Sequence, residues 1–365
     1  CCCNNHWWNS RFGLVHVFLL ISFLSVAVEN MKHFIIFFSW LIFSTCIEKP
    51  DPYMSDIYVF AKGADVSWLT EMEANEKKFY NNAGAQTEGM ALLKSVGVNT
   101  IRLRVWVNPV NYWNSKQDVL AKAIRAKNLG LRIMIDFHYS DTWADPGHQT
   151  KPAAWATQGI NELKSLLALH TIDVLNTLKL YHITPEWVQV GNETNDGILW
   201  PEGKASINMA NYAALINSGY GAVKSVFPNA KVIVHLSNGW DNALFRWNFD
   251  GLQTYHAKFD VIGMSLYPLV TNWQQLNMQC LANLNDMVDR YNKEVMIVEA
   301  GMAWDSPQAC KSFLEDLINK TKSVAQYKGL GVLYWEPQAY AQWQGYTLGA
   351  FDSNGKPTVA LSAFQ

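Results

Sequence analysis

Cysteine is scarce in this chain and unevenly placed. Of 6 cysteines, Cys1, Cys2, Cys3 and Cys46 fall in the first 46 residues, and only Cys280 and Cys310 follow. The bulk of the chain therefore holds one disulfide at most, or two ordinary buried thiols. Excess charge is missing as well. There are 29 basic and 31 acidic residues, a formal net charge of -2, and no run of Lys or Arg. That balance excludes the electrostatic footprint of a nucleic-acid-binding protein. No Gly-rich phosphate loop follows the first predicted strand, which argues against an open nucleotide-binding sheet. From Ile57 onward there is no low-complexity segment and no long linker, so one domain is expected.

What is abundant is apolar and aromatic. Hydrophobic residues make up 49% of the chain, with 16 Trp and 15 Tyr. A chain this long and this apolar buries a large core. Several of the tryptophans fall at predicted strand ends and in loops, where flat rings stack on sugar faces.

The N-terminus carries two apolar runs. One covers 13–28 and is followed by Glu29-Asn30; the second covers 34–45 and opens on Met31-Lys32-His33. A short basic start, about a dozen apolar residues and small polar residues after them read as a secretory signal. The expectation is a true start at Met31, with 1–30 a non-native upstream extension, 31–46 the signal and 47–365 the catalytic domain. One uncleaved anchor through both runs is the alternative. Phe43-Ser44-Thr45-Cys46 imperfectly matches a lipoprotein cleavage box, so a lipid anchor at Cys46 stands beside plain secretion. Either way the protein is expected to be exported.

Downstream, short apolar runs alternate with helical stretches. Strands are expected at 58–65, 99–106, 131–137, 187–191, 231–236, 261–265, 294–299 and 331–335. Helices are expected at 87–96, 116–129, 160–181, 207–227, 241–257, 272–291 and 307–327, with a short one from Thr358. Eight strands alternating with helices predict an α/β fold, a single-domain (β/α)8 TIM barrel.

In such a barrel the chemistry lies at the C-terminal strand ends. Val188-Gln189-Val190-Gly191-Asn192-Glu193 ends the fourth strand on a carboxylate. Val295-Met296-Ile297-Val298-Glu299-Ala300-Gly301 repeats the form on the seventh. Strands four and seven lie across the barrel from each other, so their end residues can face one another over its mouth. Glycoside hydrolysis with retention needs two such carboxylates about 5–5.5 Å apart, one protonated and one ionised. The other strand ends carry Asp65, Arg102 and Arg104, Asp136 and His138, Asn192, His235, Tyr267, Trp335 and Glu336. That set suits a hydroxylated, uncharged substrate.

These residues resemble the large clan of retaining (β/α)8 glycosidases. More narrowly, the chain resembles glycoside hydrolase family 53, the arabinogalactan endo-β-1,4-galactanases. The matching stretches are 62–67 (KGADVS), 102–106 (RLRVW), 136–146 (DFHYSDTWADP), 190–193 (VGNE), 298–301 (VEAG) and 334–337 (YWEP). The resemblance implies Glu193 as acid/base and Glu299 as nucleophile. It implies Asn192 on the sugar 2-hydroxyl, Arg104 in preference to Arg102 holding Glu299 ionised, and Tyr267 orienting it. His138, Asp141 and Trp335 would line the subsite at the cleaved bond, with Asp65, Trp143 and His235 also on the substrate.

Ser237 departs from the pattern, since an acidic residue is usual there, and this puts one substrate contact in doubt. No Asp-rich loop follows the last two strands, so neither metal nor cofactor is expected. The implied partner is a β-1,4-galactan polymer, met by a monomer. Loops carrying Trp143, Trp155 and Trp200 would shape an open groove for endo attack. The competing readings are a glycanase for mannan, xylan or glucan, and a non-catalytic glycan-binding lipoprotein.

Overall fold

The structure is a computed structural model that describes residues 59–365. The expectations for the upstream extension, the signal and Cys46 lie outside the described residues.

Eight parallel strands close into a barrel in chain order, each hydrogen-bonded to its sequence neighbours and β8 to β1. They are β1 Ala61–Asp65, β2 Thr100–Val105, β3 Arg132–Phe137, β4 Trp187–Val190, β5 Lys231–Leu236, β6 Val261–Leu266, β7 Glu294–Ala300 and β8 Gly329–Trp335. Helices cover the outside: α1 Leu69–Ala74, α2 Gly89–Ser95, α3 Lys116–Asn128, α4 Ile160–Leu180, α5 Ala205–Val226, α6 Asn242–Thr254, α7 Trp273–Tyr291 and α8 Pro307–Lys322. A closing 3-10 turn, Val359–Phe364, packs on α8. The expected (β/α)8 barrel is the fold observed.

Strands such as β2 and β6 are buried on both faces, as helices outside and side chains inside require. Helix starts are marked by side-chain caps. Ser115 accepts from the Asp118 N–H before α3, and Asp241 accepts from the Leu244 N–H before α6. Strand and helix bounds differ from the expected ones mostly by one to three residues. Two differences are larger. Helix α1 is too short, at 6 residues, to leave a periodic signal. The expected helix through Tyr327 stops at Lys322, and a separate 3-10 turn follows at Ala325–Tyr327. Cys280 on α7 and Cys310 on α8 are free thiols, both buried.

A bulge matters more than any boundary. Between β6 and β7, Met264 pairs with Ile297 while Ser265 pairs with Glu299, so Val298 is extra. Bulges re-aim side chains and gather near active sites. This one sets Glu299 beside Ser265 at the mouth.

Close packing of α5 on β4 depends on Gly219. A Cβ there would sit 2.4 Å from Val190 Cγ1. Gly219→Ala must displace either the helix or the strand that carries the Asn192-Glu193 tip. Overpacking of this kind costs about 1–3 kcal/mol. Thermal denaturation of the purified variant is expected to show a melting temperature a few degrees below wild type. An unchanged melting temperature would show that the contact relaxes freely.

Candidate active site

Strand β4 ends in a turn that only certain residues can make. Gly191 has φ 90°, and Glu193 itself sits at φ 43°, in the left-handed region. Left-handed backbone at a non-glycine residue carries strain of about 1–3 kcal/mol and persists only when neighbours hold it. Here they do. The Thr194 N–H donates to the His235 carbonyl at 2.8 Å, and the Thr194 hydroxyl bonds Tyr212 on α5 at 2.7 Å. Gln149 donates to the Asn192 carbonyl at 2.8 Å. The Glu193 side chain is thus aimed from a pinned turn.

Across the mouth, Glu299 is 5% exposed. One carboxylate oxygen each from Glu193 and Glu299 and a ring nitrogen of His235 all lie within 4.8 Å of one another. The carboxylates are therefore too close to hold a water between them for inversion, and at the approach required for a covalent intermediate.

Their surroundings differ. Glu299 Oε1 is 2.8 Å from Arg102 Nη2, and the Tyr267 hydroxyl donates to Glu299 Oε2 at 2.8 Å. Among the described residues Glu193 has one donor, the Ser265 hydroxyl, 2.7 Å from Oε1. Burial raises both carboxyls well above the usual carboxylate range. At Glu193 the Ser265 hydrogen bond and Arg102 oppose that rise. At Glu299 Arg102 opposes it, while the Glu193 charge adds to it. Two interacting acids titrate as a pair, so near neutral pH the site holds one shared proton. The guanidinium in contact with Glu299, and the phenol donating to it, favour the anion there and leave the proton on Glu193.

Arg102 is the hub beneath the floor. It is fully buried. Its Nη1 contacts Asp65 at 2.6 Å and its Nη2 contacts Asp136 at 2.9 Å. Nε donates to Gln189 at 2.7 Å, and Nη2 also donates to Asn192 Oδ1 at 2.9 Å. Burial lowers its pKa, but Asp136, Glu299 and Asp65 outweigh burial and raise it. At Asp65 burial works against ionisation, and Arg102, Arg104 and Ser67 overcome it.

Arg102, not the expected Arg104, is the arginine on Glu299. Arg104 instead pairs with Glu336 at 2.6 Å. Its guanidinium lies 4.2 Å from the centre of the Trp143 ring. Strand alternation does not sort the two arginines, because both point into the barrel and their different depths decide the partner.

The cleft above this floor has a volume of about 500 Å³. Trp68, Trp143, Trp335 and Tyr346 form one wall, with Trp335 and Tyr346 4.8 Å apart between ring centres and Trp68 and Trp335 5.0 Å apart. Asn192, His138, Glu193, Tyr267 and Glu299 also face it. Asn192 gives one amide hydrogen to the Ala144 carbonyl at 2.8 Å, and its second is not used by the protein among the described residues. His138 Nδ1 accepts from the Ala144 N–H at 3.0 Å, so Nε2 carries the hydrogen toward Asp136, 3.0 Å away.

Several residues expected on the substrate do not reach the cleft. Asp65, Arg104 and His235 are fully buried beneath it. Asp141 accepts from the Asn108 and Ala153 N–H groups at 2.9 Å each and ties two loops together. Trp155 is 6% exposed and packs on His170, and the Trp200 indole N–H is spent on the Asp196 carbonyl at 2.8 Å. Ser237 bonds Asn195 at 2.7 Å, a contact within the framework. Four contributors were not expected from the sequence: Gln189, Ser265, Trp68 and Tyr346. Polar residues inside fully buried strands could have flagged Gln189 and Ser265; nothing local marks Tyr346, which arrives from the loop after β8.

A (β/α)8 barrel with two facing glutamates, close enough for direct attack and unequally supported, defines a retaining glycoside hydrolase. The chain belongs to glycosyl hydrolase family 53, whose family model matches residues 61–364. It is 34% identical over 334 residues to an arabinogalactan endo-beta-1,4-galactanase of Thermothelomyces thermophilus, covering 83% of this chain and 98% of that one. A Humicola insolens protein of the same name is 36% identical, with the same coverage. A solved structure of fungal beta-1,4-galactanases superimposes with a TM-score of 0.77 at 33% identity, over 83% of this chain and 98% of that one.

Arg102→Met would leave Asp65, Asp136 and Glu299 buried around an uncharged side chain. Breaking a buried ion cluster in this way costs about 3–5 kcal/mol. Denaturant unfolding at pH 7 is expected to register that loss. The deficit should shrink as pH falls, because protonated carboxyls no longer need the cation. A deficit independent of pH would mean that packing, not charge, is what Arg102 supplies.

Proposed function

We propose that the protein hydrolyses β-1,4-galactosidic bonds within galactan or type I arabinogalactan, in the endo mode and with retention of configuration. Glu193 is the acid/base and Glu299 the nucleophile. The observation that carries this reading is the approach of the two carboxylates to within 4.8 Å. The galactan substrate is supported by near-full-length similarity to proteins that carry that activity in their names.

In the first step the Glu299 carboxylate attacks the anomeric carbon. The bond to the leaving oxygen breaks, and Glu193 gives that oxygen its proton. In the second step Glu193, now ionised, takes a proton from water as water attacks the same carbon and frees Glu299. Arg102 and Tyr267 hold the attacking carboxylate and disperse its charge. The spare amide hydrogen of Asn192 binds the 2-hydroxyl, where a hydrogen bond strengthens toward the oxocarbenium-like state. The aromatic wall stacks on sugar faces.

We also propose that the protein works outside the cell as a monomer, exported through 31–46, with lipidation at Cys46 as the variant form. A polymeric plant-wall substrate is met only there.

Reducing-sugar release from debranched galactan tests the assignment. Glu193→Gln is expected to lower kcat/KM about 10²–10⁴-fold, the usual contribution of a general acid. Glu299→Gln should abolish turnover while galactan binding persists. The sign of the pH dependence follows from the shared proton. Glu193 works as an acid only while protonated, so kcat/KM should fall as pH rises through about 7. At low pH Glu299 also becomes protonated and the nucleophile is lost. Hydrolysis of xylan or mannan but not galactan would keep the mechanism and discard the substrate. A folded protein inert on every glycan would favour the binding-protein reading.

A further inference from the structure

Glu193 must present its proton to one place, the glycosidic oxygen in the cleft. A free carboxyl can carry that proton on either oxygen. The structure resolves this with a buried relay. The Ser265 hydroxyl donates to Glu193 Oε1 at 2.7 Å. The same hydroxyl is 2.7 Å from His235 Nε2. His235 Nδ1 receives the Gln189 amide at 3.1 Å, and the Gln189 amide also donates to Asp136 at 3.1 Å. Gln189 is itself oriented by Arg102 Nε.

The donor directions follow from the partners. The Gln189 oxygen accepts from Arg102, so its nitrogen faces His235 and Asp136. Two donors reach His235 Nδ1, the Gln189 amide at 3.1 Å and the Glu193 N–H at 3.4 Å. The acceptor beside it, Asn192 Oδ1 at 3.0 Å, already receives a hydrogen from Arg102 Nη2. Nδ1 is therefore assigned as the acceptor, and Nε2 carries the ring hydrogen. His235 stays neutral, since burial, Arg102 and His138 all push its pKa well down. The Nε2 hydrogen therefore points at Ser265, and the only direction left for the Ser265 hydrogen is Glu193 Oε1. Ser265 and His235 are 1% and 0% exposed, out of reach of bulk water. Oε2 has no protein partner among the described residues.

We propose that Ser265, held by His235, is a positioning residue that reserves Glu193 Oε1 as an acceptor and confines the catalytic proton to Oε2, facing the bond to be cleaved. No proton passes through Ser265. In glycosylation the Oε2 proton moves to the leaving oxygen as the Glu299–sugar bond forms. In deglycosylation the proton of water returns to Oε2. Because the Ser265 bond is present in both states, Glu193 alternates between acid and base without rotating. This rests on Glu193 being the acid/base.

The other ionisable groups near Glu193 are Arg102 from β2, Asp136 from β3, Asp145 from the loop after β3, Tyr267 after β6 and Glu299 from β7. All are retained in Ser265→Ala, so a shift in that variant isolates the hydroxyl. Removing a donor from the anion makes ionisation of Glu193 harder. The alkaline limb of kcat/KM on galactan is therefore expected to move up by about one pH unit, the effect of one directed hydrogen bond to a buried carboxylate. At the optimum kcat should fall about tenfold with KM unchanged, since a proton shared between two oxygens donates poorly. Ser265→Thr keeps the hydroxyl and should restore the limb.

Carbon-13 NMR titration of the Glu193 carboxyl, in wild type and Ser265→Ala, reads the same shift without substrate. It decides the relay even if galactan proves to be the wrong polymer. An upward shift restored by threonine supports the proposal. An unshifted titration in Ser265→Ala overturns it, whatever happens to the rate.

Discussion

A guanidinium buried without partners would unfold this barrel. Arg102 is instead held by Asp65, Asp136 and Glu299, with Gln189 and Asn192 completing its donors. The cluster contains more carboxylates than cations, and Glu193 adds one more at its edge. Surplus negative charge in a place with little water is resolved by retaining a proton. The same requirement that keeps Arg102 solvated by the protein therefore leaves a proton on the carboxyl with the weakest claim to a cation. In the proposed mechanism catalysis uses that proton. Stability and acid chemistry here are two consequences of one charge arrangement.

The arrangement also explains why the two glutamates are not interchangeable. Both are raised by burial. Glu299 touches the cation and receives a phenolic hydrogen; among the described residues Glu193 receives the Ser265 hydroxyl alone. In the roles proposed for them, nucleophile and acid are separated by what each one touches, not by residue type. Beneath them, the Gln189–His235–Ser265 chain extends the influence of Arg102 to the far oxygen of Glu193. One arginine thus contacts one of the two glutamates directly and reaches the other through Gln189, His235 and Ser265.

A second, smaller ion pair supports the wall. Arg104 is paired with Glu336 and lies under Trp143. Burial raises Glu336 to about 7; Arg104 opposes this and Asp65 adds to it. Trp335 ends β8 while Trp68 and Trp143 follow β1 and β3, and packing around the shared Arg104 cation brings their rings together. The aromatic wall is therefore mounted on buried charge.

Much of this was legible in the residues alone. Apolar runs of strand length, each followed by a helical stretch, determine a parallel barrel, because such strands must be covered on both faces. The barrel in turn places the ends of β4 and β7 at one mouth, which makes Glu193 and Glu299 a pair. Periodicity says which residues point inward but not how deep each one lies. Only the tertiary structure gave Glu299 to Arg102 and Glu336 to Arg104, sent Asp65 and His235 beneath the floor, and turned Asp141 into a loop tie. The bulge in β7 shifts register by one residue, and the Ser265–His235–Gln189 chain joins three strands. Local sequence carries neither, because depth, register and hydrogen-bond direction are set by which surfaces meet once the sheet has closed.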